Sequence, residues 1–162
     1  MPFRWSARTT HTASAAAMSA LLMTSAMKHF REPAFFEQVV PDYLCRETPG
    51  AGGESPEGRE VPTSDGVGRP LAVMSREEWI AVSGLLEAGA AVGLLIPATR
   101  RATATAVTAM LVVFLAGHAD ALRRAYGPAG STAQRKVHTG RLPLQLPLIL
   151  WAWSLRKPGR RR

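Results

Sequence analysis

The chain has a single cysteine, Cys45, among its 162 residues. An internal disulfide, a thiol pair and a zinc–thiolate cluster are therefore excluded, and any thiol redox chemistry needs a partner protein. Acidic residues are scarce over most of the length. Ten of the twelve lie between Glu32 and Glu78, leaving Glu87 and Asp120 as the only others. Aromatics make up 7% of the composition. No dinucleotide, flavin, P-loop, zinc or nucleophile motif occurs, so catalysis by this chain alone would require a borrowed cofactor, and no catalytic residue is assigned.

Basic residues are plentiful, with a formal net charge of +8, which by itself would suit nucleic acid. Their placement argues against that partner. Arg4 and Arg8, Arg100 and Arg101, Arg123 and Arg124, Arg135 and Lys136, and the Arg156–Arg162 tail each border an apolar segment instead of forming one stripe. Membrane helices are punctuated in this way. The mean hydropathy of −0.01 thus averages apolar runs with charged borders.

Four apolar segments are read as spans, at about 12–28, 79–96, 102–119 and 142–155. The first is alanine-rich and short. A signal peptide has a similar basic start and small-residue end, but more membrane-like sequence follows here, and Lys28 can snorkel to extend the usable length. The second and third are joined by so few residues around ThrArgArg at 99–101 that they must form an antiparallel hairpin. The fourth holds Pro143 and Pro147 and ends in an aromatic pair, Trp151 and Trp153. Between the first and second spans, residues 29–44 mix aromatics with charges and suit a short amphipathic helix or turn against the bundle mouth. Residues 46–70 form an insertion so rich in Gly and Pro over 49–70 that it is expected to be disordered. The expected fold is all-α, a four-helix transmembrane bundle in one domain, with no internal repeat. An even number of spans puts both termini on one side, and the basic tail places that side in the cytoplasm, as a multi-pass protein of the cell membrane.

HFREPAFFEQVVPDYL at 29–44, SGLLEAGAAVGLLIPATRRATA at 83–104 and GRLPLQLPLILWAW at 140–153 together resemble the DoxX-like family of small bacterial membrane proteins. With these motifs in order, the resemblance extends over nearly the whole chain outside the insertion. The resemblance implies a four-helix membrane bundle associated with membrane oxidoreductase or oxidative-stress systems. Where relatives commonly carry Pro-x-Asn at the end of the third helix, this chain reads AlaGlyHisAlaAsp at 116–120.

A carboxylate inside an apolar helix is expensive, with insertion costs of about 2.5–3.5 kcal/mol on translocon scales. Glu87 should therefore face inward, one turn from Ser83, while Gly89 and Gly93 supply a small-xxx-small contact. His29, His118, Asp120 and Gln145 should converge on one mouth, with Glu87 about 12 Å deeper than Trp79 at 1.5 Å per residue. The plain alternative makes Glu87 packing glue and the histidines interfacial. Two histidines without cysteine are a poor haem or metal set, so no resident metal or cofactor is assigned and quinone is retained as a ligand. Three functions stay open. The favoured one is a non-catalytic subunit or anchor for an oxidoreductase with a soluble redox partner. The others are a quinone or small-molecule binding protein with a proton-linked polar site, and a transporter-like carrier that would need to form a homo-oligomer.

Overall fold

The computed structural model describes residues 7–46, 72–128 and 130–157, and all its regular elements are helical apart from one isolated bridge between Cys45 and Met74. The expected disordered insertion lies, from residue 47 on, outside the described residues. Five α-helices follow in order: α1 (Ala7–Arg31), α2 (Ala34–Glu37), α3 (Arg76–Leu95), α4 (Arg100–Ala125) and α5 (Thr132–Ser154), with a 3-10 turn at Asp42–Leu44. The four long helices cover the four expected apolar segments. α5 begins well ahead of residue 142, because Ser131 and Gln134 form a capping box that starts the helix in polar sequence. Ser75 and Glu78 start α3 in the same way.

Both tight turns are stapled by an arginine from the start of the next helix. Arg100 Nε donates to the Leu94 carbonyl (2.8 Å) and Thr99 Oγ1 to the Gly93 carbonyl (2.8 Å), which satisfies the exposed end of α3. Arg135 Nε does the same for the Ala125 carbonyl (3.0 Å) at the end of α4. The ThrArgArg turn is thus a C-terminal cap as well as a positively charged border.

α1 packs chiefly against α3, and α4 against α5. Toward the α3–α4 turn the interior is apolar, built from Met18 and Leu22, Ala91 and Leu94, Val107 and Leu111, and Ala152 and Leu155. Much of this core is alanine, which lets the helix backbones approach closely. Gly93 serves the same end, since a Cβ there would lie 2.6 Å from Thr103 Oγ1. Gly89 does not: a Cβ on it meets nothing within 4 Å. The close approaches of α3 are made by Gly84 and Gly93, so the expected Gly89–Gly93 pair is replaced.

The opposite end is covered by residues 33–46, which lie across all four long helices. Phe36 stacks on His29 of α1 (ring centroids 3.6 Å apart), and the Trp79 indole of α3 donates to the Leu44 carbonyl (2.9 Å). Val39 sits on Gly117 of α4, where a Cβ would come within 2.7 Å of its carbonyl oxygen. Phe35 lies under the Arg141 guanidinium of α5 at 4.1 Å. The segment is a lid, held by aromatic, carbonyl and ionic contacts.

Candidate functional site

Beneath the lid the interior is polar. His29 and Glu87 are each 5% exposed, and His29 Nδ1 lies 3.8 Å from Glu87 Oε2. Nδ1 also faces the Ser25 carbonyl at 2.9 Å, which can only accept, so the proton is assigned to Nδ1 and the imidazole donates there. Two features make this juxtaposition. Gly84, one turn from Glu87, has no side chain to obstruct α1, and a Cβ on it would stand 2.8 Å from His29 Cβ. Phe36 then covers the other face of the imidazole. The Ser25 side chain is a polar neighbour of the Glu87 carboxyl group. Glu87 Oε2 itself has no hydrogen-bond partner among the described residues.

A second group of polar side chains spans α4 and α5. Arg141 and His138 are the titratable neighbours of His118, whose Nδ1 is buried without a partner among the described residues. Gln145, 8% exposed, has its Oε1 in the same condition. His138 is 3% exposed and its Nε2 lies 3.3 Å from Gln38 Oε1 of the lid. Buried polar atoms are nearly always paired, so Glu87 Oε2, His118 Nδ1 and Gln145 Oε1 together mark an interior equipped for something besides packing.

Two residues expected at the site, Ser83 beside Glu87 and Asp120 at the mouth, are engaged elsewhere. Ser83 donates to the Ile80 carbonyl of its own helix (2.9 Å), and Ser25 of α1 takes its place beside Glu87. Asp120 bonds Arg123 (3.3 Å) and Arg124 (3.2 Å) of the same helix, an internal pairing near the surface. His29 and Gln145 are buried and His118 half-buried, as inward-facing groups are. His138 escapes sequence reading because it precedes the fourth apolar run. The SerThrAlaGln capping box at 131–134 is the signal that extends the helix through it.

Burial holds the His138 pKa below the ordinary histidine value, and the positive charges of Arg141 and Arg124 push it the same way. Its neutral form is therefore the one that folding favours. The unfolded histidine titrates near 6.5, so this contribution is complete above that pH and is lost as pH falls toward the lowered folded value. Thermal unfolding in detergent from pH 8 down to 5 should show stability decreasing below about pH 6.5. His138→Gln should flatten that slope, and an unchanged slope would remove His138 as its source.

Among the described residues no group of three or more His, Cys, Asp or Glu side chains is placed to hold a metal ion. A family model described as "Domain of unknown function (DUF8561)" matches residues 18–156, which takes in the greater part of all four long helices, the lid and both polar groups. No curated protein and no solved structure is similar to the chain.

Proposed function

The chain belongs to the DUF8561 family, and for this member we propose an integral membrane protein that binds a small quinone-class ligand among the polar side chains beneath its lid. Its spans are about 12–28, 79–96, 102–119 and 142–155, with both termini on the cytoplasmic side. One observation carries the membrane reading: the distribution of burial is inverted. Leu85, Leu86, Val113, Leu144, Leu146 and Leu150 are 58–68% exposed, whereas Glu87, His29, His138, Gln145 and Thr108 are all under 9%. Water penalises that arrangement and hydrocarbon favours it. Polar groups inside a spanning bundle are costly unless they serve a site. α3 and α4 are long and apolar enough to cross a bilayer. α1 and α5, of 25 and 23 residues, extend about 37 and 34 Å, and the exposed belt continues over them through Leu21, Met23, Leu144 and Leu150.

The unpaired oxygens Glu87 Oε2 and Gln145 Oε1 accept, which suits the hydroxyl donors of the reduced, quinol form. A quinone ring is apolar over most of its area and carries two carbonyl acceptors, one of which can be met by a donor such as a histidine N–H or the Gln145 amide. Glu87 and His29 are the proton-exchanging groups of this interior. The resemblance to DoxX-like proteins supports a second reading, in which the bundle anchors a soluble oxidoreductase and supplies no catalytic group of its own.

Carbonate washing should leave the protein in the membrane fraction, and its release would remove the spans. After gentle solubilisation, native protein should carry quinone extractable into organic solvent. Gln145→Leu, which deletes one buried hydrogen-bonding group, should lower that content up to about tenfold. An equal quinone content in protein and in bulk lipid would defeat the ligand reading. Co-purification of a flavin or metal-containing soluble partner would instead favour the anchor.

A further inference from the structure

We infer that a second site binds a phosphate-class oxyanion between Arg76, Arg124 and His138. A pocket of about 290 Å³ opens here, lined by those three residues together with Gln134, Gln38 and Glu37. That volume is at the small end for ligand pockets, enough for a headgroup or an inorganic anion and too small for a whole lipid.

The donors come from separate elements. Arg76 begins α3, Arg124 ends α4, and His138 and Gln134 lie in the first two turns of α5. Gln134 Oε1 is occupied by the backbone N–H of Ser131, which leaves its amide nitrogen as a donor. His138 is almost wholly buried, and its Nδ1 has no hydrogen-bond partner among the described residues. With Nε2 donating to Gln38, Nδ1 carries a lone pair. Taking up one proton turns it into a donor, and an anion beside it is what makes that proton favourable.

The lid already demonstrates that one anion can be shared here. Asp42 accepts from Arg76 through one carboxylate oxygen and from Arg124 Nη1 through the other at 3.3 Å. Its side chain is 66% exposed, and exposed ion pairs are weak, so it is readily displaced. Glu37 opposes an anion but is exposed and free to turn into water. A carboxylate offers two oxygens, and Asp42 supplies those. A tetrahedral phosphate offers more acceptors on several sides, matching the Arg76 guanidinium, Arg124 Nη1, an imidazolium and an amide, while Arg124 Nη2 stays on the Gln38 carbonyl (2.8 Å) and its Nε on Asp120 (3.2 Å). Free phosphate and a phospholipid headgroup share this chemistry. Arg76 and Arg124 sit at the lid ends of the two most apolar helices, at the height where headgroups of a surrounding bilayer would lie.

The test uses the full chain in phosphatidylcholine nanodiscs, with His138 ring signals assigned by their loss in His138→Gln. Inorganic phosphate is titrated in one series, and discs containing phosphatidylglycerol are compared in another. Loading should raise the His138 pKa by at least about one unit. Response to phosphate alone identifies a soluble phosphate compound, and response to phosphatidylglycerol alone identifies a lipid headgroup. Asp42→Asn removes the internal competitor and should tighten binding several-fold, while Arg76→Gln with Arg124→Gln should weaken it at least about tenfold. Because Asp42→Asn loses only an exposed carboxylate, it keeps the test decisive if the arginine variant fails to fold. No response to either anion, or unchanged affinity in Asp42→Asn, overturns the site.

Discussion

Glu87→Gln is expected to insert, fold and accumulate like the native protein yet lose its bound ligand, whereas Glu87→Ala loses ligand and stability together. Glutamine preserves the volume and a hydrogen-bonding oxygen beside His29 and Ser25, but cannot exchange a proton. Alanine removes both, leaving a cavity next to a buried imidazole whose polar neighbour has gone. Cavity formation and an orphaned polar group together should lower unfolding free energy by about 2–4 kcal/mol. Unfolding in mixed micelles measures the stability, and organic extraction measures the ligand. If the Glu87→Gln variant keeps its full ligand content, Glu87 is packing glue and the polar interior has no proton-linked role.

Gly84→Leu should be the most damaging single change in α3, while Gly89→Leu, about one and a half turns away, should be nearly silent. A Cβ at position 84 already falls 2.8 Å from His29 Cβ and 3.2 Å from the Phe30 ring. A whole leucine must push α1 off α3 and separate His29 from Glu87. Overpacking of this kind costs about 1–3 kcal/mol, and the upper end applies because the obstacle includes a Cβ fixed to the helix backbone. Position 89 opens on empty space, so its change should stay within about 0.5 kcal/mol. Equal losses at the two sites would mean that the α1–α3 contact does not set the geometry of the polar interior.

The contrast between these glycines marks where sequence reading reaches its limit. Four apolar runs, their order and the all-helical class are legible because hydropathy and charged borders are local signals. Glu87 stands out for the same reason, as the one acid within the apolar run of its helix. Which glycine faces a neighbour is a matter of helix rotation, and α3 is apolar nearly all round, so its sequence marks no face. His138 and Ser25 pass unnoticed because each is an ordinary polar residue until another element arrives opposite it. For His138 that element is Gln38, a hundred residues earlier in the chain. The local pattern of the lid predicts only a short amphipathic turn. Its crossing of all four helices depends on Gly117, Arg124 and Arg141, whose spacing from residues 35–42 no local pattern encodes.

The pairing of α1 with α3 and of α4 with α5 has a consequence for the order of assembly. The α4–α5 connection is a handful of residues, whereas the stretch between α1 and α3 is roughly sevenfold longer, a difference of about 2 kcal/mol in closure entropy for flexible connections. The C-terminal hairpin should therefore zip as soon as α5 is available, while the first helix waits alone for a partner made much later. The Trp151 indole bond to Ser14 Oγ (2.8 Å), which joins the last helix to the first, is then among the final contacts made, a latch formed at the end of folding instead of a nucleus at its start.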